Sequence, residues 1–136
     1  MNLSQRDLSR LQGVHPSLVM VVKKCAEITD IEFIVTEGLR TLDRQKVLLK
    51  EGKTTTLNSK HLTGHAVDLA VWFDYDKDKV VDANELSWKF EFYKQLADNM
   101  KKAAAAVGVA IEWGGDWKSF KDGPHFQIDP NKYKRV

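Results

Sequence analysis

Two polar side chains interrupt apolar runs of this sequence in places where burial demands a partner. Asp68 lies in the apolar run at 66–72, and an unpaired carboxylate buried there would cost several kcal/mol. His125 lies in a second apolar run, at 124–128. In a strand, alternation puts His125 and Gln127 on the face opposite to Phe126, since successive side chains point to opposite sides. Asp68 therefore needs an ion-pair partner or a metal.

A third residue with ligand chemistry, His61, precedes Asp68 by seven positions. Gly64 between them permits a sharp turn that can bring His61 back beside the strand. Two neutral imidazoles and one carboxylate make a three-ligand zinc set that leaves a fourth position for water. Zinc acidifies such a water molecule and turns it into a nucleophile near neutral pH. The alternative is an ion-paired Asp68 with two ordinary half-buried histidines, and spacing alone leaves both interpretations open.

An acidic residue near His125 has the position of a general base. Asp122 precedes His125 by three residues, with Gly123 and Pro124 between them. These two residues favour a turn, which could point the Asp122 carboxylate at a metal-bound water.

Hydrophobic spacing and capping residues predict the elements that must position these side chains. Helices are expected in four places: after Ser4, at 16–29, from Thr41 to Lys50, and from about 87 to 107. Strands are expected at 31–38, 66–72, 109–113 and 124–128, with a polar loop at 53–65. This order predicts one small α+β domain over residues 1–136, in which an antiparallel sheet packs against helices.

Length and composition favour an ordinary globular domain. The chain has 136 residues, 43% of them hydrophobic and 29% charged, and its formal net charge is +2. These values exclude disorder, collagen and coiled coil as descriptions of the whole chain. Because the charges are nearly balanced and no basic stripe is present, nucleic acid is not an expected partner.

Neither export nor membrane insertion is expected from the sequence. The segment MNLSQRDLSRLQG has no apolar core, and no apolar run approaches the roughly 20 residues of a membrane span. We therefore expect a cytoplasmic protein that needs another route to reach anything outside. The single cysteine, Cys25, lies on the apolar side of a predicted helix and is expected to be buried rather than nucleophilic.

The residues around the candidate ligands form a recognisable pattern. SKHLTGHAVD has the form Ser-x-His-x-x-Gly-x-Ala-x-Asp, DGPHF has the form Asp/Glu-x-x-His, and GLRTLDRQ has the form Arg-Thr-x-x-x-Gln. In these motifs and in their order the chain resembles the VanY-type D-alanyl-D-alanine carboxypeptidase family of zinc peptidases. Within that family it looks most like the short phage endolysins that act as L-alanyl-D-glutamate peptidases. The fold implied is that of the hedgehog and D-alanyl-D-alanine peptidases.

The resemblance implies a role for each matching residue. It assigns zinc to His61, Asp68 and His125, and it makes Asp122 the catalytic acid and base. It makes Arg40 the group that binds a substrate carbonyl or carboxylate. Weaker expectations concern three further residues: Ser59 contacts substrate or shapes its loop, Trp113 lines the substrate groove or the core, and Asp116 orients a ligand histidine.

The resemblance also implies partners. The expected substrate is bacterial peptidoglycan, cut by a monomeric lysin that waits in the host cytoplasm until a holin opens the membrane. Two alternatives remain open. One is a D-alanyl-D-alanine carboxypeptidase or dipeptidase, and the other is a non-catalytic, zinc-stabilised binding module of the hedgehog kind.

An acidic segment invites a second metal hypothesis. Its acidic residues occupy positions 1, 3, 5, 9 and 12 of a calcium-loop template, namely Asp74, Asp76, Asp78, Asp82 and Glu85. Lys79 occupies position 6, where the template needs glycine. The alternative is a solvated acidic hairpin in which Asp82 and Glu85 cap the long helix. A calcium titration that follows the melting temperature distinguishes the two interpretations.

Overall fold

The computed structural model describes residues 1–53, 59–78, 80–118 and 121–129. Within those residues the chain forms four α-helices: α1 Gln5–Arg10, α2 Pro16–Ile28, α3 Leu42–Lys50 and α4 Phe90–Val107. It also forms five strands: β1 Phe33–Glu37, β2 Ala66–Trp72, β3 Leu86–Ser87, β4 Ile111–Trp113 and β5 His125–Ile128. The predicted α+β class is confirmed.

The strands form one antiparallel sheet in the order β1-β2-β5-β4, with β3 pairing with the end of β2. The central strand β2 is the one that carries Asp68. Asp68 lies opposite Glu37 of β1 and opposite His125 of β5. The sheet register thus brings together residues that are far apart in the sequence.

One face of the sheet and the inner sides of α2 and α4 share the hydrophobic core. Val67, Leu69 and Val71 of β2 alternate into this core, and Phe126 joins them from β5. Each such side chain contributes about 1.5–3 kcal/mol when it is fully buried. Because the core takes every second residue, Asp68 and His125 point to the other face of the sheet.

Local signals in the sequence explain where the first three helices begin. Ser4 and Asp7 form a capping box at the start of α1, and Thr41 accepts a hydrogen bond from the Arg44 amide at the start of α3. His15 caps α2 through its Nδ1, which accepts from the Ser17 amide. These capping residues agree with the sequence-based expectations for α1 and α3.

The long helix begins later than its spacing predicted. Leu86 and Ser87 pair with Trp72 and Val71 of β2 as strand β3, so α4 starts only at Phe90. No side-chain hydrogen bond caps this helix. The expectation that Asp82 and Glu85 cap it is therefore wrong.

Cys25 lies in the core on α2 with no exposed surface. Burial raises the pKa of its thiol to about 12, so the thiolate is not formed near neutral pH. Cys25 is a core residue, as expected. In the described part of the chain, none of the helices has both the length and the apolar character needed to cross a membrane.

Candidate metal centre and active site

Three side chains on the polar face of the sheet converge on one point. Ligand atoms of His61, Asp68 and His125 all lie within 4.8 Å of one another. The Asp68 Oδ1 is 3.2 Å from Nε2 of His61 and 3.3 Å from Nδ1 of His125. The structure thus brings together the three residues that the sequence predicted as ligands.

His61 reaches the site through a short 3-10 turn, Lys60–Thr63. The Ser59 hydroxyl caps this turn by accepting from the His61 amide, and Gly64 ends it with φ +75°. This is the sharp turn predicted at Gly64, and a left-handed φ of this kind favours glycine. The sequence predicted a loop at 53–65. Its second part contains this turn, and residues 54–58 lie outside the described residues.

Both imidazoles are held from behind by groups that accept a hydrogen bond. His61 is only 2% exposed, and its Nδ1 lies 2.8 Å from the Gly38 carbonyl oxygen. Because a carbonyl can only accept, Nδ1 carries a hydrogen, and in the neutral ring Nε2 turns a lone pair toward Asp68. His125 places Nε2 2.8 Å from the Gln127 Oε1, which leaves Nδ1 facing the same carboxylate.

This arrangement concentrates electron pairs. Two ring nitrogens and a carboxylate oxygen face one another at hydrogen-bonding distance, and two acceptors already use the hydrogens of the rings. A cation at the centre would satisfy all three donor atoms at once. Two imidazoles and a carboxylate suit a divalent transition metal, so the residues present fit a metal.

The pKa values of Asp68 and His125 also show that positive charge is favoured at this point. Burial raises the pKa of Asp68, but hydrogen bonds from His125 and His61 outweigh it and hold that pKa well below its usual range. Burial lowers the pKa of His125, and the nearby Asp68 carboxylate more than reverses this, so the net shift is upward. The Asp68 carboxylate thus favours positive charge beside it, whether as a proton on an imidazole or as a metal ion.

Asp122 lies beside the metal-binding group on the loop before β5. Its carbonyl accepts from the His125 amide, and its amide donates to the Gly114 carbonyl. Burial raises the pKa of its carboxyl, and repulsion from Asp68 raises it further. Gly114 has no room for a methyl group, because a Cβ there would collide with the Asp122 backbone oxygen and press on Cβ of His125.

Arg40 lies against the site from the β1 side. Its guanidinium makes a two-pronged ion pair with Glu37, with Nε 2.7 Å and one terminal nitrogen 2.6 Å from the two carboxylate oxygens. The other terminal nitrogen donates to the Gln45 Oε1 at 2.7 Å and lies 3.5 Å from the Ser59 hydroxyl. The nitrogen that meets Glu37 is also 3.9 Å from the Asp68 Oδ2. Arg40 is thus a largely buried cation, held by hydrogen bonds to Glu37 and Gln45, that lies close to Asp68.

The structure decides between the two expectations for Trp113 and corrects the one for Asp116. Trp113 is 4% exposed and belongs to the hydrophobic core, where its indole nitrogen donates to the Gly123 carbonyl. It offers no groove surface to a substrate, and it acts by holding the Asp122 loop in place. Asp116 pairs with Lys101 on the surface, so it does not orient a ligand histidine. Gln127 does so for His125 instead.

His65 lies close to the site in sequence but outside the ligand group. Its Nδ1 is 2.7 Å from the Thr63 hydroxyl, and its ring lies 5.2 Å from that of His15. His65 is therefore not one of the residues whose ligand atoms converge with Asp68.

The acidic segment forms a second cluster. Carboxylate oxygens of Asp74, Asp76, Asp78 and Glu85 lie within 4.8 Å of one another, and Asp82 is not part of this group. Glu85 is 2% exposed and accepts from the amides of Tyr75 and Asp82. Lys79, at template position 6, lies outside the described residues.

The partners of the ligands were missed in the sequence, although signals for them existed. Gln127 shares a strand face with His125, two positions away, which is the spacing at which side chains lie side by side. Glu37 precedes Arg40 by three residues at the end of β1. Neither spacing alone distinguishes a contact that supports the site from an ordinary polar contact on the protein surface.

Comparison with known proteins agrees with this geometry. The chain is 32% identical to the peptidoglycan L-alanyl-D-glutamate endopeptidase CwlK of Bacillus subtilis, over 93% of this chain and 80% of that protein. It is 35% identical to the L-alanyl-D-glutamate peptidase of Listeria phage A118 over 79% of this chain, a match that spans 34% of the phage protein.

A solved structure is similar throughout. The crystal structure of the Serratia marcescens L-Ala D-Glu endopeptidase ChiX matches with a TM-score of 0.81 and 40% identity, over 95% of this chain and 90% of that one. The profile of the phage L-alanyl-D-glutamate peptidase family matches residues 1–129. Because that match takes in both histidines, Asp68 and Asp122 and nearly the whole chain, the chain belongs to the phage L-alanyl-D-glutamate peptidase family.

Proposed function

We propose that this chain is a zinc peptidase that hydrolyses the L-alanyl-D-glutamate bond in the stem peptide of bacterial peptidoglycan. The observation that carries the proposal is the convergence of donor atoms from His61, Asp68 and His125 on one point. Membership of the family supports the choice of substrate, since the relatives named above are L-alanyl-D-glutamate peptidases.

The three converging residues would hold the metal through two imidazole nitrogens and one carboxylate oxygen. Zinc bound there would acidify a water molecule and polarise the carbonyl of the bond to be cut. The acceptor behind each histidine supports this role, because in the neutral ring it takes the one hydrogen and leaves the other nitrogen free to direct a lone pair at the centre.

Asp122 supplies the proton transfers in this proposal. It takes a proton from water as the water oxygen adds to the carbonyl carbon of L-alanine. It returns the proton to the nitrogen of D-glutamate as the carbon–nitrogen bond breaks, which releases a carboxylic acid and an amine. The raised pKa of Asp122 supports this role, because a base that must also act as an acid works best near the operating pH.

Arg40 stabilises the negative charge that develops on the carbonyl oxygen. Its burial and its ion pair with Glu37 support this role, because a charge that is already oriented needs little reorganisation during the reaction. Ser59 supports the site by capping the turn that carries His61 and by contacting Arg40.

The same proposal includes the setting in which the enzyme works. The enzyme is a monomeric lysin that is held in the host cytoplasm and reaches the wall after a holin opens the membrane; the match to a phage family and a phage relative supports the lysin role.

A calcium ion at the acidic segment is a second proposal, separate from the catalytic one. It is supported by the four carboxylates that converge there, since oxygen ligands of this kind suit calcium. The buried Glu85, which two backbone amides fix in place, would anchor the cluster.

The proposed reaction is tested by mass spectrometry of purified peptidoglycan fragments after incubation with the protein. We expect release of a stem peptide that begins with glutamate, and we expect a chelator to abolish it. Release of a terminal D-alanine would instead identify a carboxypeptidase. Absence of any product from protein shown to contain zinc would leave a binding module as the remaining explanation.

Asp122→Asn should separate catalysis from metal binding. We expect hydrolysis to fall about 100- to 10,000-fold, because the amide cannot take up the proton, while zinc content stays at the wild-type level. The paired measurements are turnover of the same fragments and zinc content by atomic emission. An Asp122→Asn variant with wild-type turnover would remove Asp122 from the mechanism.

Asp68→Asn should weaken metal binding, because it removes the only negative ligand of the three. A ligand that binds only the native state stabilises it by about 2.7 kcal/mol at one hundred times its Kd, so zinc should raise the melting temperature of the wild type. We expect this rise to be lost in Asp68→Asn and kept in His65→Asn, a matched change of a neighbouring histidine outside the ligand group. Loss of the rise in both variants would contradict the assignment.

Calcium at millimolar concentration should raise the melting temperature of the zinc-loaded protein if the acidic cluster binds it. The effect should shrink in the double variant Asp76→Asn with Asp78→Asn, which lowers the charge of the loop but leaves Glu85 in place. A melting temperature that does not move with calcium contradicts this second proposal.

A further inference from the structure

A line of hydrogen bonds leads from His125 away from the metal-binding group. The Nε2 of His125 lies 2.8 Å from the Gln127 Oε1, and the Gln127 Nε2 donates to the Glu112 Oε2 at 3.2 Å. The other oxygen of Glu112 accepts from the Trp117 indole nitrogen at 2.7 Å. The line thus ends on the Glu112 carboxylate, which accepts two hydrogen bonds.

The sheet and the chain that follows it place these residues. Gln127 of β5 lies directly opposite Glu112 of β4, on the same face as His125. Trp117 follows the short 3-10 turn Gly114–Asp116, and its ring lies 5.1 Å from the His125 ring. The pairing of β4 with β5 therefore places Glu112 and Gln127 within hydrogen-bonding distance of each other.

The chemistry of each group gives the line one direction. A carboxylate can only accept, so Glu112 requires Gln127 to present its amide nitrogen. The Oε1 of Gln127 must then face His125 and accept from its Nε2. This tautomer leaves Nδ1 unprotonated, and Nδ1 is the atom that faces the Asp68 carboxylate at 3.3 Å.

We propose that Glu112, acting through Gln127, is a positioning residue that fixes the tautomer of His125 and so prepares its Nδ1 to bind the metal. The inference rests on the metal site of the proposed function and adds to it two residues that touch neither metal nor substrate. Trp117 holds Glu112 in the orientation that the line requires.

The variant Glu112→Gln tests the direction of the line. Its amide keeps the size of the side chain but has only one acceptor oxygen, and the short contact with Trp117 competes for that oxygen. When Trp117 takes it, the amide nitrogen of the new Gln faces Gln127 and forces that amide to turn over. His125 then meets a donor at Nε2 and carries its hydrogen on Nδ1, where the metal should bind.

Removing Trp117 should reverse this loss. In Glu112→Gln combined with Trp117→Phe, the amide oxygen is free to accept from Gln127, and the original direction is restored. Trp117→Phe alone provides the baseline for this comparison. Asp116→Asn is the matched control, because it makes the same acid-to-amide change in the adjoining turn, where the acid pairs only with Lys101 in the described contacts.

The measurement is the zinc dissociation constant of each purified full-length variant, by competition with a chromophoric chelator. We expect Glu112→Gln to bind zinc about 10- to 100-fold more weakly than the wild type, as is usual when the partner behind a ligand is lost. We expect the double variant to return to the Trp117→Phe value and Asp116→Asn to match the wild type. The ¹⁵N shifts of His125 in the zinc-loaded wild type should report metal on Nδ1 and hydrogen on Nε2.

Several outcomes would overturn the inference. Wild-type zinc affinity in Glu112→Gln would show that the carboxylate does not act on the ligand. A double variant as weak as Glu112→Gln would indicate a general structural loss, and hydrogen on Nδ1 in the wild type would contradict the tautomer directly. If Glu112→Gln does not fold, Gln127→Met replaces it, with the same loss expected and no rescue by Trp117→Phe. A wild type that binds no zinc would overturn the proposed function, and this inference with it.

Discussion

The contact on which the rest of the site depends is the approach of two imidazole lone pairs to one oxygen of Asp68. Such a contact is unfavourable between neutral rings and a carboxylate unless a cation joins them, so something must prevent the rings from turning away. The Gly38 carbonyl does this for His61, and Gln127 does it for His125. Because each ring is held by an acceptor on its far side, the protein maintains a concentration of negative potential that a divalent cation relieves. The residues of the site are in this respect arranged to hold a metal ion.

The sheet makes this preorganisation possible by separating two tasks on its two faces. Val67, Leu69 and Phe126 occupy core positions that stabilise the fold. The residues that alternate with them, Asp68 and His125, are fixed in position by the same backbone, although they face each other at a point that would otherwise repel them. The free energy from packing on one face is thus what holds an electrostatically strained cluster on the other.

Local sequence signals were enough to predict the ligands but not the groups behind them. Asp68 and His125 stand out because each is a polar residue in an otherwise apolar strand, and Gly64 stands out because a sharp turn needs it. By contrast, the pairing of Glu112 with Gln127 depends on the register between β4 and β5, which no local pattern encodes. The late start of α4 has the same origin, because Leu86 and Ser87 gain hydrogen bonds to β2 that their helical spacing does not reveal. The sequence left Trp113 open between groove and core because aromatic side chains suit both, and only its burial decides between them.

The charges around the site also link metal binding to Asp122, the general base of the proposed mechanism. Asp68, Asp122 and Glu37 are acidic, and Arg40 is the cation that lies among them. With all three acids ionised, these four residues carry a net negative charge of two, which a divalent metal ion would balance. Repulsion from Asp68 is one reason why the pKa of Asp122 is raised, and a cation held by Asp68 would offset that repulsion. Arg40 cannot do so alone, because Glu37 already compensates its charge at 2.6 Å. In the proposed mechanism the pKa of Asp122 would therefore depend on the occupancy of the metal site as well as on burial, because a bound cation would lower a pKa that the Asp68 carboxylate raises.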